Sequence, residues 1–191
     1  MAFKQTDNRF LATKLALRRH FIAKYHATGP LSVFDACAGD QVIWTTLRKG
    51  RTEPIEYFGA DRVKTKLKLD SAKLCAHPAY AQYDIIDIDT YGSPWTHFFN
   101  LLPNIKKPTT IFLTWGKSGG LNNMSHVVRR VMGLDDLPHT PNSLLIKINS
   151  DHGLPHCLGY AHQFGLEYEE IKEAFPRFNA RYFGARIIPS K

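Results

Sequence analysis

Short apolar runs recur along this chain and, one after another, they stop on an aspartate: LSVFDA (31 to 36), PIEYFGAD (54 to 61) and YDIIDID (83 to 89). A run that is apolar on both sides suits a strand whose sheet is covered on both faces, which is the habit of parallel sheets. Helical patterns separate the runs. VIWTTLRK is stopped by Gly50, SAKLCAH follows, and PWTHFFNLL has Ser93 placed as N-cap, Pro94 as its first residue and Pro103 as its end. TTIFLTW (109 to 115) is a further buried strand, and VKTKLKLD (63 to 70) alternates apolar with basic residues as a partly exposed one does. The piece from Leu121 to Leu137 and LPHCLGYAHQFG read as helices, while LEYEEIKEAF and ARYFGARII, joined through Pro176-Arg177-Phe178-Asn179, read as an antiparallel pair. The expected fold is α/β: a mostly parallel seven-stranded sheet with a terminal antiparallel strand pair and helices on both faces. Such sheets bind ligands beyond the carboxyl ends of their strands, so Asp35, Asp61, Asp70 and Asp89 are the first candidates for a site.

The 191 residues show no repeat or linker, and one domain over 1–191 is expected. Residues 1–29 read as a basic amphipathic helix, capped by Thr6 or Asp7 and closed by Gly29-Pro30. Its apolar arc of Phe10, Leu11, Leu15, Leu17, Phe21, Ile22 and Tyr25 also contains Lys14 and Arg18. Those two either snorkel from the edge of the core or project into a ligand groove. A formal net charge of +8 favours an anionic partner, most economically a nucleic acid. No apolar segment is long enough to span a bilayer, and MAFKQTDNRF lacks the core of a signal peptide, so a cytoplasmic chain with reduced Cys37, Cys75 and Cys157 is expected. Among the nine histidines, His152, His156 and His162 are interrupted by Gly153 and Pro155 and have no carboxylate at a companion spacing, so no metal site is expected.

FDACAG, a strand end and turn ahead of a helix, with an acid about twenty residues on, follows Rossmann-like logic: a tight turn, close backbone approach, and a carboxylate for ribose hydroxyls. GxGxxG is absent and Gly39 stands beside Asp40, which suits a nucleoside without a pyrophosphate. From about Leu31 onward the chain resembles the class I S-adenosylmethionine-dependent methyltransferases. VFDACAGDQ looks like their first motif, with Gln41 in place of a second glycine; FGADR resembles the second and LDSAKL the third. The resemblance implies S-adenosyl-L-methionine as cofactor, held by Asp35, Cys37 and Gly39 of the first turn, by Asp61 at the ribose and by Asp70 at the adenine.

DIDTYGSP is similar to the DPYGSP-type motif of the tRNA guanine-N2 dimethyltransferases, with Thr90 where that family has proline. An aryl amine has its lone pair delocalised into the ring, so methylating it means aiming that pair along the line of the departing sulfur, and positioning does most of the work. The implied roles are Asp89 and the Thr90 carbonyl as acceptors of the amine hydrogens, Tyr91 as stacking platform, Gly92 as room for the base, and Ser93, at the start of the next helix, as a further substrate-binding residue. Lys14 and Arg18 would contact phosphates, together with Arg19, Arg48, Lys49 and Arg51. Asp87 lies on the face of Asp89, where pairing with a base is the expected role. The activity implied is N-methyl transfer to an exocyclic amino group of a nucleic-acid base, with RNA favoured over DNA. The alternatives are adenine-N6 or cytosine-N4 methylation of DNA, and a non-catalytic nucleic-acid-binding module with a degenerate methyltransferase fold.

Overall fold

Strands β1 (Leu31–Asp35), β2 (Ile55–Gly59), β3 (Ile85–Ile88) and β4 (Thr109–Gly116) are parallel to one another, and β6 (Ala180–Pro189) then runs antiparallel between β4 and the edge strand β5 (Leu166–Ala174). The computed structural model describes residues 10–61, 69–90, 92–116, 126–134, 152–174 and 180–190. Among these the sheet has six strands in the order β2-β1-β3-β4-β6-β5. It is a mixed sheet, and the expected antiparallel pair is β5 with β6. Of the seventh strand expected over 63 to 70, only Leu69 and Asp70 lie among the described residues. Asp70 is the N-cap of a short helix, α3 (Ser71–Cys75), and accepts from the Ala72 amide at 3.1 Å.

The period of two along each strand sorts its side chains onto two apolar layers. Phe34, Ile86, Ile88, Leu113 and Phe183 face a core completed by α3, α4 (Trp95–Leu101), α5 (His126–Val131) and α6 (Leu154–Gly159). Val33, Ile85, Phe112 and Tyr182 face a second core under α1 (Leu11–Tyr25) and α2 (Val42–Lys49). By the same parity Asp35 and Asp87 belong to the α1 and α2 side. Phe21 of α1 lies against Gly184 of β6, where any Cβ would collide with its ring. Full burial of that phenylalanine contributes about 2–3 kcal/mol and fixes the helix on the sheet.

Two helix boundaries differ from the sequence reading. Helix α1 starts after Phe10, with Thr6 and Asp7 outside the described residues, and ends at Tyr25, before Gly29-Pro30. Its exposed carbonyl end is held by Arg51, which donates to the carbonyls of His26 at 2.6 Å and Gly29 at 2.7 Å. Helix α4 starts at Trp95, so Ser93 is not its cap. The Gly92 carbonyl is occupied by the Gly116 amide at 2.7 Å, and the first helical bond runs from the Phe98 amide to Pro94, which takes the N-cap position.

Candidate active site

Two hydrogen-bonded groups meet at the carboxyl edge of β1, β2, β3 and β4. The first surrounds the turn after β1. Asp35, 5% exposed, accepts from the Tyr57 hydroxyl at 3.0 Å and from the Cys37 amide at 3.2 Å. Gly39 turns the chain at φ +48°, and its amide donates to Asp61 at 3.1 Å. Gln41 holds φ +58°, a left-handed conformation that costs a side chain about 1 kcal/mol and that glycine adopts freely. The turn therefore keeps the backbone path of a glycine pair although the second member is Gln41. Cys37 Sγ lies 4.0 Å from the Ser71 hydroxyl, which is 2.8 Å from His97 Nε2, so the residue after Asp70 lies against the same turn.

The second group joins α1 to the end of β3. Asp87, 1% exposed, receives Arg18 through Nε and Nη2, both at 2.7 Å, and the Trp44 indole at 2.8 Å. The Arg18 guanidinium also lies over the Phe112 ring at 4.9 Å and donates to the Lys14 carbonyl at 3.1 Å. Lys14 Nζ donates to Asp89 Oδ2 at 2.5 Å and sits over the Tyr182 ring at 5.1 Å. Thus Lys14 and Arg18, 6% and 1% exposed, do not snorkel but run inward onto acids. Arg18 has no exposed surface for a phosphate. Thr90 donates to the Thr114 carbonyl at 3.2 Å, and Gly92, at φ +147°, stands where its backbone meets Gly116 so closely that a Cβ on Gly116 would lie 3.4 Å from it. Only glycine fits such a φ without strain. Ser93 is half-buried. Tyr91 lies outside the described residues.

The two groups are electrostatically unlike. Asp35 and Asp87 are register partners on adjacent strands, so one carboxylate faces another. Burial, and then the Asp87 charge, push the Asp35 carboxyl well above the usual range. Burial and then Asp35 do the same to the Cys37 thiol, which favours its protonated form. Burial also acts to raise Asp89, but the charges of Lys14 and Arg18 and the hydrogen bonds from Lys14 and Thr114 outweigh it and hold that carboxyl below the usual range. Asp89 is an ionised acceptor. Tyr57, Trp44, Thr114 and Tyr182 complete the site without having been picked out from the sequence. Tyr57 alone left a signal there, sharing strand parity with Asp61 two turns of the pleat beyond it. Among the described residues no cluster of three or more His, Cys, Asp or Glu could hold a metal ion, and no helix is long and apolar enough to cross a membrane.

No family model matches the chain, and no curated protein matches it. Solved structures do. Trm1 from Pyrococcus horikoshii, in complex with S-adenosyl-L-methionine, superposes with a TM-score of 0.61 at 14% identity, over 96% of this chain and 56% of that one. This is a class I methyltransferase fold. The chain spans little more than half the length of Trm1. M. jannaschii TYW2 in complex with AdoMet gives 0.53 at 10% identity, over 99% of this chain and 78% of that one. A candidate class I S-adenosylmethionine-dependent methyltransferase from Listeria monocytogenes gives 0.53 at 11%, over 98% and 61%.

Proposed function

We propose that the protein is an S-adenosylmethionine-dependent methyltransferase acting on an exocyclic amino group of a nucleic-acid base, with guanine N2 of tRNA the favoured target. The observation that carries this reading is the ionised Asp89 at the end of β3, ahead of a turn whose Gly92 leaves no side chain in the way, beside a turn with Asp35, Gly39 and Asp61 gathered on it. The likeness in fold to Trm1 and TYW2, whose structures hold this cofactor, supports it.

The donor set suits the cofactor. Its sulfonium and its α-ammonium group are cationic, and Asp35 is a buried carboxylate whose hydrogen-bond partners, Tyr57 and Cys37, are neutral. Asp61 would take the ribose hydroxyls, the turn from Cys37 to Gly39 the methionine portion, and Asp70 the adenine end. When bound, S-adenosylmethionine supplies an electrophilic methyl carbon and leaves as a neutral thioether with the electron pair of the broken bond. Asp89 orients the base by accepting one amine N–H, and the Thr90 carbonyl accepts the other. Both contacts strengthen as nitrogen gains positive charge. Asp89 is then placed to receive the surplus proton. Tyr91 would stack on the base. Exposed Arg19, Arg48 and Lys49 would meet phosphates.

Incubation with methyl-labelled cofactor and separate tRNA, total RNA, single-stranded and duplex DNA, followed by digestion, identifies the labelled nucleoside. N2-methylguanosine from tRNA is expected. Asp89→Ala is expected to lose transfer and keep cofactor binding by calorimetry. Wild-type protein that neither binds the cofactor nor labels any nucleic acid ends this reading.

A further inference from the structure

We propose that Lys14 determines the substrate class, by restricting the amine-accepting position at Asp89 to uncharged amino groups, such as those of nucleobases, and turning away alkylammonium groups such as those of polyamines and lysine side chains. This rests on the reading of Asp89 as the amine acceptor.

A buried carboxylate standing alone at a strand end would be matched best by a cation. At Asp89 that seat is already filled from within the chain. Lys14 Nζ is 2.5 Å away with its side chain 7% exposed, steadied by the Tyr182 ring, and its own backbone carbonyl is tied to Arg18, which is anchored on Asp87. The Lys14–Asp89 pair has no net charge. Thr114 donates to the same carboxylate, and a carboxylate has about four acceptor sites, so capacity remains for a neutral N–H. A second cation there would face both the Lys14 ammonium and the Arg18 guanidinium in a poorly solvated setting. A nucleobase amino group is uncharged at neutral pH, whereas an alkylamine is protonated. Among the described residues, the charged and titratable groups that act on Asp89 are Lys14 and Arg18 of α1, Asp35 of β1 and the Cys37 thiol, with Asp87 two residues before it on β3.

The test uses the full chain carrying carboxyl-labelled aspartate, with the Asp89 resonance assigned from Asp89→Asn. In Lys14→Ala the Asp89 titration midpoint is expected to rise by roughly one unit or more, and n-butylammonium, filling the vacated seat, is expected to bring it back down. Lys14→Arg is expected to hold the wild-type midpoint, and wild type to bind n-butylammonium at Asp89 roughly tenfold or more weakly than Lys14→Ala. With methyl-labelled cofactor, the ratio of spermidine to nucleobase labelling should climb roughly tenfold or more in the same variant. Should Lys14→Ala not fold, Lys14→Gln gives the same comparisons. A midpoint unmoved by loss of Lys14, or equal butylammonium binding by wild type and variant, overturns the proposal. Neither readout needs turnover, so a wild type inactive on every nucleic acid would end the functional reading alone.

Discussion

Replacing Arg18 by Met keeps most of the length of its stem and removes only its charge and its hydrogen bonds. The guanidinium and the Asp87 carboxylate have side chains 2% and 1% exposed, and both bonds between them are 2.7 Å. Truncating one partner of a buried pair strands the other charge and costs about 3–5 kcal/mol. Trp44 stays on Asp87 and recovers little of this, because one neutral donor does not replace a charge. Against an unfolding slope of about 3 kcal/mol/M for a chain of this size, a loss of roughly 4 kcal/mol lowers the urea midpoint by roughly 1.3 M with the slope unchanged. The double variant Arg18→Met with Asp87→Leu removes both charges. Its remaining deficit is the stranded Trp44 indole, about 1–3 kcal/mol, so it should be more stable than Arg18→Met alone. Equilibrium unfolding followed by tryptophan fluorescence measures all three proteins. A single variant that loses less than about 1 kcal/mol, or a double variant no more stable than the single, refutes the claim that this pair is a coupled buried unit.

Glu170 on β5 accepts from Lys24 at 2.8 Å, His20 at 2.7 Å and Tyr25 at 2.8 Å, and these bonds, the Lys24 bond foremost, bring its carboxyl down to about 2. A depressed folded value means stability present above the ordinary value of 4.5 and lost as pH falls from there through about 2. The melting temperature of wild type should exceed that of Glu170→Gln at pH 5, and the margin should shrink as pH falls across that acid window; a margin unchanged between pH 5 and pH 3 would refute the ionic account. At Gly59 a methyl group would lie 2.7 Å from the Tyr57 hydroxyl and 2.8 Å from Ala38 Cβ. Gly59→Ala must therefore displace Tyr57 from Asp35, and calorimetry should show cofactor affinity reduced roughly tenfold or more, while unchanged affinity would separate Asp35 from the cofactor site.

Six of the seven expected strands, and the acids that close the runs of β1, β2 and β3, were legible because both signals are local, apolar runs of strand length and the residue that stops them, whereas the strand expected over 63 to 70 lies mostly outside the described residues and its Asp70 caps a helix. The course of Lys14 and Arg18 was not. A helix with two cations inside its apolar arc fits either snorkelling or an inward role, and the partners that decide it are 75 and 69 residues away. The pairing expected for Asp87 was correct in kind, while its partner could be named only from the fold. Ser93 was misread as a cap because the sequence does not show that the Gly92 carbonyl is engaged by Gly116 on another strand. Gln41 was read as a lost glycine, yet the left-handed turn is still there. A turn conformation can persist at a modest cost when the elements on both sides fix it.

The docking of α1 follows from two periodicities that agree. Lys14 and Arg18 are four residues apart, which along a helix is about 6.0 Å. Asp87 and Asp89 are two residues apart, which along a strand is about 6.6 Å and on one face. Lys14 meets Asp89 and Arg18 meets Asp87, so helix and strand run in opposite senses and each cation finds its acid in register. A slip of one residue in either element would break both pairs together and strand four charges, three of them buried. The arrangement thus selects one seat for α1 more sharply than apolar packing could, since apolar surface tolerates sliding. It also leaves the acids unevenly matched: two of the three strand-end carboxylates on this face have a cation from α1, and Asp35 has a phenol and an amide. A bound cation would complete the set, and the unmatched acid lies in the turn where the cofactor is proposed to sit.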